Sequence, residues 1–103
     1  MEATEKTYKR YTILRVSGRV DAETAPNLEK QINKAFSKGQ HHLVVDLGGV
    51  DYISSAGLGV LLKTQKRLRE KGGGLVLTQM KKLVRDVFRI ARFDLVFEIT
   101  SEQ

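Results

Sequence analysis

A short run of nearly all apolar residues in the middle of the chain is the feature that most constrains the fold. Residues 43–47 read Leu-Val-Val-Asp-Leu, a composition typical of a central parallel strand that is buried on both faces. Gly48 and Gly49 predict a turn after this strand, and a helix is expected to begin at the serines that follow. Parallel strands are joined by crossover connections that are usually helical, so the run indicates an α/β domain.

Apolar residues at helical spacing predict three helices around this run. The first follows Asp21 and Thr24, either of which can cap a helix. The second follows Ser55, and the third begins near Lys81. The residues expected to face the core are Leu28, Ile32, Ala35 and Phe36 in the first helix, Leu58, Leu61, Leu62 and Leu68 in the second, and Val84, Val87, Phe88 and Ala91 in the third.

Short β-like runs complete the pattern. Residues 6–16 contain two such runs, predicted to form a hairpin whose second strand ends at Gly18, and further strands are expected near residues 75–78 and 95–99. The element order is then β-β-α-β-α-β-α-β. This order predicts a single α/β domain over residues 1–103, with an N-terminal β-hairpin and a mostly parallel sheet of four to five strands.

Composition excludes several classes of protein. The chain has no cysteine, which excludes disulfides and thiolate chemistry and suits a cytoplasmic location. No apolar run approaches the length of a membrane span, and the polar N-terminus does not suggest a secretory signal. The net charge is +6, but the cations are scattered over helix faces and mixed with acidic residues. We therefore interpret these cations as solvated charge on helix faces, with attraction to an acidic protein partner as the alternative, and expect no direct binding of nucleic acid.

The sequence does not suggest an enzyme. The glycines match neither the dinucleotide-binding nor the P-loop spacing. His41 and His42 are adjacent, so in an extended strand they point to opposite faces and cannot easily ligate one metal. Asp46 is expected to bond backbone N–H groups in the adjoining turn. We expect no catalytic residue, no metal and no cofactor.

Ser54 and Ser55 stand at the predicted start of the second helix. Unpaired backbone N–H groups and the positive end of the helix dipole meet there, which makes it a favourable place for a phosphate. The structural alternative is that one of the two serines simply caps the helix.

Three segments resemble the STAS-domain anti-anti-sigma factors. That family carries an Asp-Ser-Ser-Gly-Leu-like motif in which the phosphorylated serine stands three residues before the leucine. The leucine is Leu58 here, so the resemblance implies phosphorylation of Ser55. Ser54 replaces the usual aspartate and is an alternative acceptor. The other matching positions are Ala56, Gly57 and Gly59, the turn at residues 18–21 that ends in Asp21, and the closing helix and strand at residues 87–99.

The resemblance implies a partner-switching regulator. The unphosphorylated protein is expected to bind an anti-sigma factor that is also a serine kinase, and thereby to release a sigma factor. The kinase is expected to phosphorylate Ser55 with its own ATP and magnesium, and a serine phosphatase is expected to reverse the reaction. The alternative is a STAS scaffold or sensor module of a signalling complex that does not control a sigma factor. We expect a monomer or a weak dimer.

Two further predictions follow from this fold. Asp21 is expected to lie beside the serine turn and to orient either that turn or the kinase. The exposed side of the second helix, with Lys63, Lys66 and Arg67, is expected to form part of the partner-docking face because the helix starts at the serine.

Overall fold

The computed structural model describes residues 1–100, which form one mixed sheet and three α-helices. The element order is the predicted one, with an additional 3-10 turn before the last strand. The elements are β1 (Glu2–Thr7), β2 (Thr12–Val20), α1 (Ala25–Phe36), β3 (His42–Ile53), α2 (Ser55–Glu70), β4 (Gly74–Thr78), α3 (Lys82–Ile90), the 3-10 turn Phe93–Leu95 and β5 (Glu98–Thr100).

The strands lie in the sheet in chain order, β1-β2-β3-β4-β5. β1 and β2 form the predicted antiparallel hairpin, and each later neighbour pair is parallel. Successive right-handed crossovers that all advance in one direction place α1, α2 and α3 on the same face of the sheet. The core lies between that face and the helices, where Leu14, Val45 and Leu77 are neighbours in register and fully buried.

The prediction that residues 43–47 are buried on both faces is wrong. Leu43, Val45 and Leu47 are buried, whereas Val44 and Asp46 face the other side and are only partly covered. The reason is topological, because the three crossover helices lie on one side and leave the opposite face of β3 without a helical layer.

The two predicted strand ends are also wrong. β2 does not end at Gly18 but continues to Val20 through an irregular register in which Gly18 takes a φ of 90°. β3 passes through Gly48 without a turn. The expected bond from Asp46 exists inside the strand, where the Gly48 N–H donates to its Oδ1 at 2.8 Å. β3 thus runs beyond its pairing with β4, and its far end pairs with β2 alone.

All but two of the predicted helix residues are buried or, in the case of Phe36 and Val87, partly buried against the core. Leu62 is 40% exposed, because the buried stripe of α2 passes through Leu61, Thr64 and Gln65 instead. Ala91 lies just after the end of α3 and is exposed. The buried stripe of α3 is therefore shorter than its sequence pattern indicates.

The last strand begins later than predicted. Residues 93–95 form the 3-10 turn, and β5 starts at Glu98. Phe97, between them, is buried with its ring centroid 5.7 Å from that of Phe88. The 3-10 turn therefore lies between α3 and β5, and Phe97 packs against α3 before the chain joins the sheet.

Candidate functional site

The two serines lie where β3 ends and α2 begins. The Ser54 N–H donates to the Val20 carbonyl at 2.8 Å, so the end of β2 is fastened to this turn. Ser55 is the first residue of α2, and the Leu58 N–H donates to the Ser54 carbonyl at 3.0 Å to close the first helical turn. The N–H groups before Leu58 have no intrahelical acceptor. They stand at the positive end of a helix of 16 residues.

The environments of the two serines differ sharply. Ser55 is exposed. The Oγ of Ser54 is buried and has no hydrogen-bond partner within residues 1–100. Ser54 occupies the cap position of α2, yet its side chain makes no capping hydrogen bond, so the interpretation of this serine as a side-chain cap is wrong. Of the two hydroxyl groups, the one on Ser55 is the one that an enzyme can reach.

Gly57 sets how closely α2 approaches the sheet. A Cβ at this position would lie 2.7 Å from Val20 Cγ1 and 2.9 Å from Ile53 Cγ1. No side chain fits there without displacing the ends of β2 and β3. The absence of a side chain at Gly57 therefore lets the serine turn rest directly on the strands that position it.

Asp21 lies in the loop that follows β2. Its carboxylate accepts the N–H groups of Glu23 at 3.0 Å and Thr24 at 3.1 Å. The pKa of Asp21 is lowered, chiefly because its carboxylate accepts the Thr24 N–H, with smaller contributions from Arg19 and Glu23 that together outweigh desolvation. Thr24 takes the cap position of α1 without a capping side-chain bond, and its hydroxyl donates to the Arg19 carbonyl at 2.9 Å.

The structure places the Asp21 loop beside the serine turn. Val20 and Ile53 are register partners, and the Val20–Ser54 backbone bond continues this pairing into the turn. The role of Asp21 toward the serine or the kinase stays a prediction.

Sequence reasoning missed two residues at this edge. The Arg19 guanidinium carbon lies 4.2 Å from the centre of the Tyr52 ring, and Arg19 Nε lies 3.4 Å from Asp21 Oδ2. Tyr52 is 41% exposed. Their proximity depends on the register in which Arg19 pairs with Tyr52 across β2 and β3, which no local sequence signal reveals.

Two of the three cations predicted for the docking face point toward α1. Lys63 Nζ contacts Glu29 Oε2 at 2.9 Å. Arg67 donates to Asn33 Oδ1 at 2.6 Å, and its guanidinium lies 4.5 Å from the centre of the Phe36 ring. These contacts join α2 to α1, and the part of Lys63 and Arg67 in a docking face stays a prediction.

Lys66 lies on the stripe of α2 that begins at Ser55. Ser55, Gly59, Leu62 and Lys66 follow the i, i+4, i+7, i+11 spacing of one helix face and are all exposed. Together with Val96, the last three border a mainly apolar groove of about 680 Å³. Gly59 and Leu62 were not predicted as surface residues of this site, although their spacing from Ser55 is a signal that could have found them.

The histidines contribute no site. His42 begins β3 and is exposed, while the ring of His41 lies 5.4 Å from that of Phe36 in an edge contact. Within the described residues, no three His, Asp or Glu side chains are grouped so that they could hold a metal ion. In the same range, each helix is too short or too polar to cross a bilayer.

Comparison with known proteins identifies the class to which this fold and this serine turn belong. The family model of the STAS domain matches residues 2–102. The chain belongs to the STAS domain family, whose anti-sigma factor antagonists are regulatory binding proteins rather than enzymes.

Its relatives include proteins named as anti-sigma factor antagonists. BtrV of Bordetella bronchiseptica is 41% identical over 88 residues, which cover 85% of this chain and 76% of that protein. The anti-sigma-B factor antagonist of Listeria monocytogenes is 33% identical over 86 residues, with coverages of 84% and 75%. A Thermotoga maritima protein, also named as an anti-sigma factor antagonist, shares the fold with a TM-score of 0.90 at 23% identity. That match covers 97% of this chain and 86% of that protein.

Proposed function

We propose that this protein is an anti-sigma factor antagonist controlled by phosphorylation of Ser55. In its unphosphorylated form it binds an anti-sigma factor that is also a serine kinase, and the bound sigma factor is released. The kinase carries the ATP and magnesium for the reaction, and a serine phosphatase restores the binding form. These events belong to transcription control, so the proposal places the protein in the cytoplasm. The relatives named above support the role.

The contrast between the two serines is the observation that carries the proposal. A kinase must bring the acceptor oxygen in line with the γ-phosphate, and the Ser55 side chain is exposed at the first position of α2. The Ser54 oxygen is enclosed, so its phosphorylation would require the turn to open. Ser55 is therefore the acceptor, and Ser54 stays unmodified in the folded protein.

The switch needs no refolding. Phosphorylation adds about −1.5 to −2 units of charge, and the positive end of α2 stabilises that charge within the domain. A partner surface that packs against a neutral hydroxyl has no such compensation and must desolvate the phosphate. A loss of about 2.7 kcal/mol of binding free energy weakens a complex about 100-fold.

The docking face extends from Ser55 along the exposed stripe of α2. Leu62 offers an apolar contact beside the groove, and Lys66 attracts an acidic partner surface. Lys63 and Arg67 belong to the same helix, but their side chains already bond Glu29 and Asn33 of α1. We expect Lys66→Glu to slow association at low salt. Lys9→Glu, in the turn at the opposite edge of the sheet, should leave the association rate unchanged.

The test uses each purified serine-kinase anti-sigma factor of the host, with ATP and Mg²⁺. Mass spectrometry should locate a single phosphate on Ser55, Ser55→Ala should remain unmodified, and Ser54→Ala should be phosphorylated like the wild type. The unphosphorylated protein should displace the sigma factor from the kinase, and the phosphorylated protein should not. Full phosphorylation of Ser55→Ala would refute the assignment. Kinase binding without release of any sigma factor would favour the scaffold role.

A further inference from the structure

Two contacts with other residues of the protein hold the Arg19 side chain in place beside the serine turn. Its Nε lies 3.4 Å from Asp21 Oδ2, and its guanidinium carbon lies 4.2 Å from the centre of the exposed Tyr52 ring. The Arg19 side chain is nevertheless 63% exposed. An arginine that is stacked and paired in this way has lost much of its rotamer freedom before any ligand arrives.

The backbone ties this arginine to the acceptor serine. Arg19 pairs in register with Tyr52, and Val20 with Ile53. The Ser54 N–H then bonds the Val20 carbonyl at 2.8 Å. The loop that begins at Asp21 therefore starts beside the turn that leads from β3 into Ser55. The Arg19–Asp21 pair and the phosphate acceptor are attached to one rigid junction of two strands.

A phosphate at this junction changes the balance of charge. It adds about −1.5 to −2 units of charge to the same strand junction that carries the Asp21 carboxylate, and like charges repel each other. Lys81, whose Nζ contacts Asp51 Oδ1 at 2.7 Å, is already paired with a carboxylate of β3. The Arg19 contact to Asp21 uses Nε, whereas four of the five guanidinium N–H donors lie on the two terminal nitrogens. Arginine can bind a phosphate through two parallel hydrogen bonds.

We propose that Arg19 is the phosphate-binding residue of the switch and that Asp21 and Tyr52 hold it in position before phosphorylation. This inference rests on Ser55 being the phosphate acceptor. In the phosphorylated protein the guanidinium pairs with the phosphoserine while it stays stacked on Tyr52, and its attraction offsets the repulsion between the phosphate and Asp21. The ligand of this site is thus the protein's own phosphorylated side chain.

The experiment installs phosphoserine at position 55 during translation, so that no kinase is needed. The second pKa of the phosphate is then measured by ³¹P NMR titration. Because the guanidinium favours the dianion, Arg19→Gln should raise this pKa by about 0.5 after allowance for solvent screening. Asp21→Asn should lower it because a like charge is removed. Arg19→Lys should fall between wild type and Arg19→Gln, since lysine keeps the charge but loses the planar fork.

Arg10→Gln is the matched control, because it removes one arginine from the turn at the opposite edge of the sheet. An unchanged phosphate pKa in Arg19→Gln overturns the inference, and so does an equal shift in Arg10→Gln, which would reduce the effect to net charge. Amide spectra of each variant verify the fold. A kinase that ignores Ser55 would count against the proposed function without altering this titration, so the two failures are distinguishable.

Discussion

Two helices of this domain begin at the same edge of the sheet, and their first turns are built differently. At the start of α1, the Asp21 carboxylate accepts two backbone N–H groups, and the Ala25 N–H bonds the Asp21 carbonyl at 2.8 Å. At the start of α2, Ser54 occupies the cap position without capping, and its hydroxyl is buried with no partner in the described part of the chain.

Under the proposed function, this difference separates a helix start built for stability from one kept for phosphorylation. The Asp21 side chain orders the loop that leads into α1, where it accepts the N–H groups of Glu23 and Thr24. Within residues 1–100, no side-chain cap occupies the positive end of α2, which begins at the exposed Ser55. α2 is instead held by close packing of Gly57 on Val20 and Ile53. A buried hydroxyl that lacks a partner costs about 1–3 kcal/mol, so the Ser54 side chain lowers the stability of the domain.

The largest expected effect tests the packing of α2. Gly57→Ala should destabilise the protein by about 1–3 kcal/mol, because the new Cβ overlaps two fully packed strand ends. Gly59→Ala is the matched control two residues further along the same helix, where a Cβ meets nothing within 4 Å. It should stabilise the protein by about 1 kcal/mol through helix propensity. Urea unfolding measures both values, and equal effects would show that packing does not anchor this helix.

A smaller effect should distinguish the two helix starts directly. Ser54→Ala should raise the free energy of unfolding by about 1 kcal/mol, because it removes a buried hydroxyl without a partner. Asp21→Ala should lower the melting temperature, since the N–H groups of Glu23 and Thr24 in the loop before α1 lose their acceptor.

Ser37→Ala provides the control for the serine substitution. The Ser37 hydroxyl donates to the Lys34 carbonyl at 2.8 Å, so its loss should not stabilise the protein. If Ser54→Ala were destabilising, the Ser54 hydroxyl would have to cap the helix in solution, and the contrast between the two helix starts would disappear.

The smallest effect is a pH dependence carried by Asp21. Its pKa is lower in the folded than in the unfolded protein, chiefly because of the hydrogen bond from the Thr24 N–H. The stabilisation is therefore complete above the ordinary value of 3.8 and is lost as the pH falls through the folded value. The pKa of Asp86 is also lowered, first by its hydrogen bond with Lys82, so acid unfolding has at least two contributors.

Unfolding free energies of the wild type and Asp21→Asn, measured between about pH 2 and 7, test this assignment. The difference between the two proteins should be constant near neutral pH and shrink below the ordinary carboxyl pKa. Asp86→Asn serves as the comparison on a helix far along the chain. If the difference in unfolding free energy stayed constant down to the lowest pH, Asp21 would not contribute to acid unfolding.

Much of the fold could be predicted from local sequence patterns. Hydrophobic periodicity located three helices and their order among the strands, because side chains at helical spacing must share one face. It misplaced Leu62, since a leucine-rich helix contains more apolar residues than its buried face can hold. The strand ends at Gly18 and Gly48 were also misplaced, because a glycine marks conformational freedom and only the neighbouring strand decides whether it becomes a turn or an irregular strand position.

The sequence by itself determined the α/β order, the STAS resemblance and the position of the serine pair at a helix start. Each of these rests on short patterns among residues that are close together in the chain. Only the tertiary structure decided that Ser55 is exposed while the Ser54 oxygen is enclosed, that Lys63 and Arg67 contact α1, and that Arg19 stacks on Tyr52. Burial and ion pairing depend on strand register and helix packing, which join residues more than 30 positions apart in the chain.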